Sequence, residues 1–144
     1  MWQCDYDIEI NADPETIWEI FCDVPGWKQW NAGIEHIEIN GPFEAGTVFT
    51  MTPPGQDPLT TRLIEVRKNE VFVDETRVGD IIVLVAHRIQ YVAPKRTHVT
   101  YSIQVTGPSA EETGKAIAAD FPDVLKALAA LADSKTNAEQ EKEL

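Results

Sequence analysis

The sequence predicts an α+β domain in which a curved antiparallel sheet of about seven strands wraps around a long C-terminal helix. Three observations lead there. An alternating strand at the N-terminus is followed at once by the run Asp13-Pro14-Glu15-Thr16-Ile17-Trp18 and then by Asp23-Val24-Pro25-Gly26-Trp27-Lys28-Gln29-Trp30-Asn31, which reads as two short helical segments joined by a tight turn. From Ile34 to Thr106 the texture is that of strands, broken only by short turn sequences. One long apolar helical pattern then closes the chain. A lone antiparallel sheet has one face to hide, and that helix is the only long apolar element able to cover it.

Gln3 to Ile10 alternates, with Cys4, Tyr6, Ile8 and Ile10 on one side and Gln3, Asp5, Asp7 and Glu9 on the other, as a half-buried strand does. Asp13 is the expected N-cap of the next helix, and Pro14 occupies a first-turn position where its missing N–H is not needed. Ile17, Phe21 and Val24 form an apolar stripe edged by Trp18 and Ile20, and Pro25-Gly26 ends it. Strands follow over Ile34–Asn40, Thr47–Thr52, Leu59–Arg67, Val71–Arg77, Asp80–Val92 and Thr97–Thr106. Turn chemistry separates them at Asn40-Gly41-Pro42, Pro53-Pro54-Gly55, Lys68-Asn69, Gly79-Asp80 and Ala93-Pro94-Lys95.

Ser109-Ala110-Glu111-Glu112 has capping-box spacing, with Ser109 as N-cap. Ile117, Phe121, Val124, Leu125, Leu128 and Leu131 repeat at helical spacing beyond it, and Pro122 is expected to kink that helix over the sheet. The domain is therefore drawn over residues 1–133, and 134–144 is expected to be a polar, frayed tail.

Net charge is −12, from 24 acidic and 12 basic side chains, and a field of that sign disfavours nucleic acid and anionic lipid as partners. No apolar run approaches the roughly 20 residues that span a bilayer, so stable membrane insertion is not expected. Residues 1–5 carry no basic region or apolar stretch of a signal peptide, and the final Glu141-Lys142-Glu143-Leu144 is read as chance likeness to a retention signal. Cys4 and Cys22 are expected to be buried free thiols, which agrees with a cytoplasmic setting. A homodimer is compatible with the sequence but not required by it.

The space between sheet and covering helix is the natural ligand cavity. On the strand 80–92, Ile81, Val83, Val85, His87, Ile89 and Tyr91 share a face; on the next, Val99, Tyr101, Ile103 and Val105 do. The register that joins these sets through a loop of about five residues places His87 beside Ile103 and Ile89 beside Tyr101. Thr47, Phe49 and Met51 form a matching inward set. In the strand 71–77 the parity stays open between Phe72, Asp74, Thr76 and Val71, Val73, Glu75.

Pro14-Glu15-Thr16-Ile17-Trp18, the Asp23, Trp27, Trp30 spacing, Gly46-Thr47, Phe72-Val73-Asp74-Glu75-Thr76, His87-Arg88 and Val105-Thr106-Gly107-Pro108 together resemble the polyketide cyclase/dehydrase-like branch of the START-like (SRPBCC) superfamily. The resemblance covers the chain from its first strand to its last helix. It implies a helix-grip, START/Bet v 1-like fold with a hydrophobic pocket between sheet and C-terminal helix. Its members include ligand carriers, cyclases and proteins without an assigned role. The dense glycine loop of the plant-allergen relatives is missing, with only Gly41 and Gly46 around Pro42 and Phe43.

The leading expectation is a protein that binds a small hydrophobic or aromatic, lipid- or polyketide-like molecule. Trp30, Phe49, Met51, Phe72, Val85, His87, Ile89, Tyr91, Tyr101, Ile103, Ile117, Phe121 and Leu125 are its candidate lining, and Arg62 is the candidate anchor for a ligand carboxylate. The alternative is a cyclase/dehydratase-type enzyme with His87 as acid/base and Tyr101 or Asp74 orienting a carbonyl. Against these stand plainer roles: His87 as a satisfied core histidine, the tyrosines as packing, Arg62 in a rim ion pair, and Trp27 and Trp30 holding the helix pair to the sheet. A third class is an interaction module like the chaperone activators of this superfamily. His36, His87 and His98 have no metal spacing, so no metal is expected; no phosphate loop or dinucleotide fingerprint is present, so no cofactor is expected either.

Overall fold

Alternation along the first strand, β1 (Trp2–Ile10), sets which way the sheet faces: Gln3, Asp5, Asp7 and Glu9 are exposed, while Cys4, Tyr6, Ile8 and Ile10 turn inward. A computed structural model describes residues 1–143, with side chains through residue 139; the last residue of the expected tail, Leu144, lies outside the described residues. Six more strands follow: β2 (His36–Ile39), β3 (Val48–Thr52), β4 (Leu59–Arg67), β5 (Val71–Val78), β6 (Ile81–Ala93) and β7 (Arg96–Thr106). They form one antiparallel 7-stranded sheet in the order β1-β7-β6-β5-β4-β3-β2. The chain thus returns its first strand to pair with its last.

Between β1 and β2 lie α1 (Pro14–Cys22) and a 3-10 helix over Val24–Gln29. Asp13 does not cap α1 through its side chain; its Oδ1 instead accepts the Lys95 backbone N–H at 2.7 Å, tying the helix start to the β6–β7 turn. The neighbouring Thr97 hydroxyl donates to the Ala12 carbonyl at 2.6 Å and strengthens the same junction. At the C-terminal side, α2 (Ala110–Ala118) and α3 (Phe121–Glu143) replace the single kinked helix. Pro122 falls in the first turn of α3, where a missing N–H leaves no bond unmade, so it starts a helix rather than bending one. The capping box also does not form: Ser109 adopts a left-handed conformation (φ 55°), and only its backbone carbonyl accepts from the Thr113 N–H. Residues 134–143, read from sequence as a frayed tail, continue α3, and Thr136 is buried.

The β6–β7 register differs from the expected one by two residues. His87 pairs with Tyr101, Val85 with Ile103 and Ile89 with Val99, because the hairpin turns tightly at Pro94-Lys95 with Lys95 at φ 58°. A slip of two preserves the inward face, since side chains alternate with period two, but it moves every neighbour by about 7 Å. The open parity of β5 is resolved: Phe72 pairs with His87 and Asp74 with Val85, placing Phe72, Asp74 and Thr76 inward. On β4 the register shifts between Leu63 and Glu65, so Leu63 and Val66 both align with inward residues of β5 while Ile64 is exposed.

The main core lies between the sheet and the layer formed by α1, the 3-10 helix and α3. Phe21, Phe49, Phe72, Ile17, Leu63, Leu125 and Leu128 are almost fully buried there, each such side chain contributing about 1.5–3 kcal/mol of apolar transfer free energy. A smaller core of Val83, Val85, Ile103, Val105 and Ala118 sits under α2. Gly114 of α2 is buried against the Trp2 indole, in space that a Cβ would share with the ring. Cys4 is half-buried, and Cys22 is exposed rather than buried because it lies on the outer side of α1.

Candidate functional site

Four strands bring an aromatic row together on the inner face. The registers align Phe72, His87, Tyr101 and Tyr6 across β5, β6, β7 and β1. The His87 ring stacks on Phe72 with centroids 3.8 Å apart and planes 8° apart, and meets Tyr101 edge-on at 4.5 Å. Phe21 of α1 closes over the row, 5.0 Å from Phe72 and 6.0 Å from His87. Phe121, at the start of α3, meets Tyr101 and Tyr6 edge-on, both at 5.6 Å.

His87 Nδ1–H donates to the Phe72 carbonyl at 3.2 Å. Burial pulls its pKa down to about 3, against a smaller opposing effect of that hydrogen bond, so the imidazole is neutral across the physiological range. Asp74, one pair along the same face, is half-buried as a residue, but its carboxyl lies deep enough for burial alone to push its pKa up to about 7. The Tyr101 phenol is pushed far above its ordinary value by burial and, secondarily, by the Asp74 charge, so it stays a hydrogen-bond donor. Beyond Asp74, the Thr61 and Thr76 hydroxyls share a hydrogen bond at 2.7 Å across β4 and β5. No hydrogen bond among the described residues uses the Asp74 carboxyl or the Tyr101 hydroxyl. The inner face therefore carries a neutral imidazole, a phenol and an unpartnered carboxyl side by side.

Of the residues proposed from sequence, His87, Tyr101, Asp74, Phe72, Val85, Ile103 and Phe121 gather on or against this face. Phe49, Leu125 and Ile89 are buried inner-side residues, and Met51 is half-buried beside Ile37. Trp30 is buried; with Leu131 and Gly26 it lines a small cavity of about 60 Å³ toward α3. Three side chains are elsewhere. Arg62 is exposed on the outer face opposite Glu75, because β4 alternates about the buried Thr61 and Leu63. Ile117 is 38% exposed, since the break after Ala118 ends α2 before its stripe can join that of α3. Tyr91 is 62% exposed, at the end of β6 where the strand runs past the core.

The larger cavity is also away from the covering helix. It is an open groove of about 620 Å³ between the start of α1 (Asp13, Pro14, Glu15), the β4–β5 turn (Asn69, Glu70) and Ile89, Tyr91 and Pro94. Aromatic side chains fill the grip beneath α1 instead. Trp27 donates through Nε1 to the Phe21 carbonyl at 2.9 Å and stacks on Phe72 at 5.7 Å, which gives it a packing role. Phe43, absent from the residues proposed by sequence, reaches in from the β2–β3 loop to meet Phe72 at 5.2 Å and Trp18 at 5.8 Å. A lone aromatic between Pro42 and Glu44 in an otherwise polar loop was the signal for it. Phe21 was legible as core from its helical stripe, but not as the ring above His87.

His98 faces outward and pairs with Asp7 at 2.9 Å, on the opposite side of the sheet from His87. Among the described residues no group of three His, Cys, Asp or Glu side chains is arranged to hold a metal ion, and no helix is long and apolar enough to cross a membrane.

Solved structures share this fold. Norcoclaurine synthase from Thalictrum flavum, in complex with dopamine and hydroxybenzaldehyde, superposes with a TM-score of 0.71 at 15% identity, over 90% of this chain and 85% of that one. A START superfamily protein from Mycobacterium smegmatis gives 0.73 at 19% identity, covering 92% and 97%. Protein MLL2253 from Mesorhizobium loti gives 0.77 at 14%, covering 92% and 98%. Identities this low carry the helix-grip architecture and nothing finer. No curated protein sequence matches the chain. The family model described as "Polyketide cyclase / dehydrase and lipid transport" matches residues 1–133, and the chain belongs to that family.

Proposed function

We propose that this protein binds a small hydrophobic, ring-bearing molecule against the inner face of its sheet, with Asp74 and Tyr101 meeting the ligand's polar group. The observation that carries this reading is the Asp74 carboxyl, half-buried on the inner face and without a hydrogen-bond partner among the described residues. A ligand that covers this carboxyl strips its remaining water, and a ligand hydroxyl or carbonyl supplies the hydrogen bond in its place. Ile37, Met51, Asp74 and Thr76 face inward yet remain half-buried, and mark the stretch of inner face a ligand would cover. The family's lipid-transport members, and a neighbour of the same fold that holds dopamine and hydroxybenzaldehyde, support an apolar or aromatic ligand class.

The test is titration with the neutral fluorescent probe N-phenyl-1-naphthylamine, alongside native mass spectrometry and solvent extraction of the purified protein. Met51→Trp, which fills the half-buried inner face, is expected to weaken probe binding by about tenfold or more while melting like the parent. Full binding by a stably folded Met51→Trp variant overturns the reading.

A cyclase/dehydratase-type reaction is the second reading, favoured by the same carboxyl. A general acid/base works best with a pKa near ambient pH. Asp74, near 7, meets that condition, whereas His87, near 3 and bonded through Nδ1, does not. Acid/base work therefore moves from His87 to Asp74, with His87 holding the aromatic row in place. Turnover of the extracted molecule is expected to vanish in Asp74→Asn with binding retained; an unchanged rate removes Asp74 from the chemistry.

A further inference from the structure

We infer that the outer face of the sheet is the contact surface of a two-fold dimer of this chain. An antiparallel strand with one face in water alternates apolar and polar residues, as β1 does. The first half of β6 does not. Its run Ile81-Ile82-Val83-Leu84-Val85-Ala86 is apolar on both faces, the pattern of a strand covered from both sides. Val83 and Val85 enter the core under α2, so Ile82, Leu84 and Ala86 point outward. Val73 of β5 pairs with Ala86, and Ile64, 41% exposed, stands at the β4 bulge where Glu65 pairs with Val73. These five side chains belong to neither core. Their β7 neighbours on the same face, Ser102 and Gln104, carry no charge.

Charge decides which partner fits. On one side of the apolar patch β1 presents Asp5, Asp7 and Glu9. On the other, the outer face of β4, β5 and β6 carries Arg62, Arg67, Arg77 and Arg88 against Glu65 and Glu75. Asp7 pairs with His98, Glu9 with Arg96, Arg67 with Glu65 and Arg77 with Glu75. Asp5, Arg62 and Arg88 make no ion pair among the described residues. In the sheet, β1 lies two strands to one side of β6 and β4 two strands to the other. A two-fold axis along β6, midway between two copies, therefore lays each β1 over the other copy's β4 and stacks the two Ile82, Leu84, Ala86 rows. The face is self-complementary: acid meets arginine twice, with apolar side chains between. Four of the five arginines stand here, which offsets the repulsion between two chains of net charge −12 where they touch. From β1 to β4 the five strands are each eight or more residues long. They present a face of roughly 24 by 26 Å in projection, whose accessible area approaches the about 800 Å² per partner of specific interfaces.

The experiment is sedimentation velocity and native mass spectrometry of the full chain. A dimer is expected at about 100 μM. Leu84→Glu, which sets a carboxylate on the axis, should weaken it by about a hundredfold. The exposed changes Asp5→Arg and Arg62→Asp should each weaken it by about fivefold and leave melting unchanged, while the double variant that swaps the two charges recovers most of the loss. Glu111→Gln on α2 should have no effect. A monomeric parent at that concentration overturns the inference, as does a dimer that persists in Leu84→Glu. If Leu84→Glu does not fold, the charge swap decides alone, and additive losses in the double variant overturn the inference. The inner-face reading stands in every case, because its residues point the other way.

Discussion

One residue holds His87 in two ways: the Phe72 ring lies flat against the imidazole at 3.8 Å, and the Phe72 carbonyl accepts its Nδ1–H at 3.2 Å. Stack and hydrogen bond both follow from the β5–β6 register, which pairs the two residues directly. His87→Ala removes both and leaves a hole beneath Phe21, so it is expected to cost about 2–4 kcal/mol in urea unfolding. His87→Phe keeps a ring on the stack and should cost less than half as much. Equal losses in the two variants would show that packing is not what His87 contributes.

Protonation of His87 gives acid sensitivity. With a folded pKa near 3 against an ordinary 6.5, the native state keeps the ring neutral while the unfolded chain takes up a proton as pH falls. Its contribution to stability is therefore complete above about 6.5 and is lost progressively toward 3. Imidazole carbon shifts of His87 should stay flat between pH 7 and 4. A His87 midpoint near 6.5 would contradict this.

Asp74 works in the opposite sense. Its pKa rises from 3.8 to about 7 on folding, so its favourable contribution exists in acid and is lost as pH climbs through that window. Asp74→Asn removes the loss and should be more stable than the parent at about pH 8, by roughly 1–3 kcal/mol, with no advantage at about pH 4. Denaturant melts at the two pH values check it; a variant less stable than the parent at both would mean that the carboxylate has a partner in solution.

Gly114 lets α2 lie on the Trp2 indole. Adding a methyl group there forces ring and helix apart, so Gly114→Ala should destabilise by about 1–3 kcal/mol despite alanine's higher helix propensity. Stabilisation instead would mean that α2 is not docked on β1.

The bond from Lys95 N–H to Asp13 Oδ1 joins residues 82 apart in sequence. Asp13→Ala should cost about 1–2 kcal/mol and speed exchange of the Lys95 amide, whereas loss of an ordinary N-cap would instead speed exchange of the first α1 amides. Amide exchange separates the two. The sequence places Asp13 at the N-cap position, where it stands, but its side chain does not cap α1 and bonds instead to a turn that only folding brings near.

That contrast runs through the whole molecule. Element types and the inward faces of β1, β6 and β7 were legible because alternation and helical spacing are local, and burial enforces them. Hence Cys4, Tyr6, His87, Tyr101 and Ile103 face inward as their strands alone indicate. Where two solutions shared the same local pattern, the sequence was silent. A two-residue slip of the β6–β7 hairpin satisfies the same alternation, so His87 could be assigned a face but not Tyr101 as its neighbour. On β5 both Val71 and Phe72 are buried, and only pairing with β6 turned Asp74 inward. Arg62 was misplaced because apolar Leu63 and Ile64 stand together, a pattern that a bulge allows and that simple alternation does not describe. Local periodicity thus determined the fold class and one wall of the site. Long-range register and the aromatic contacts of Phe21, Phe43 and Phe121 decided which groups meet, because cross-strand pairing and packing are settled between segments rather than within them.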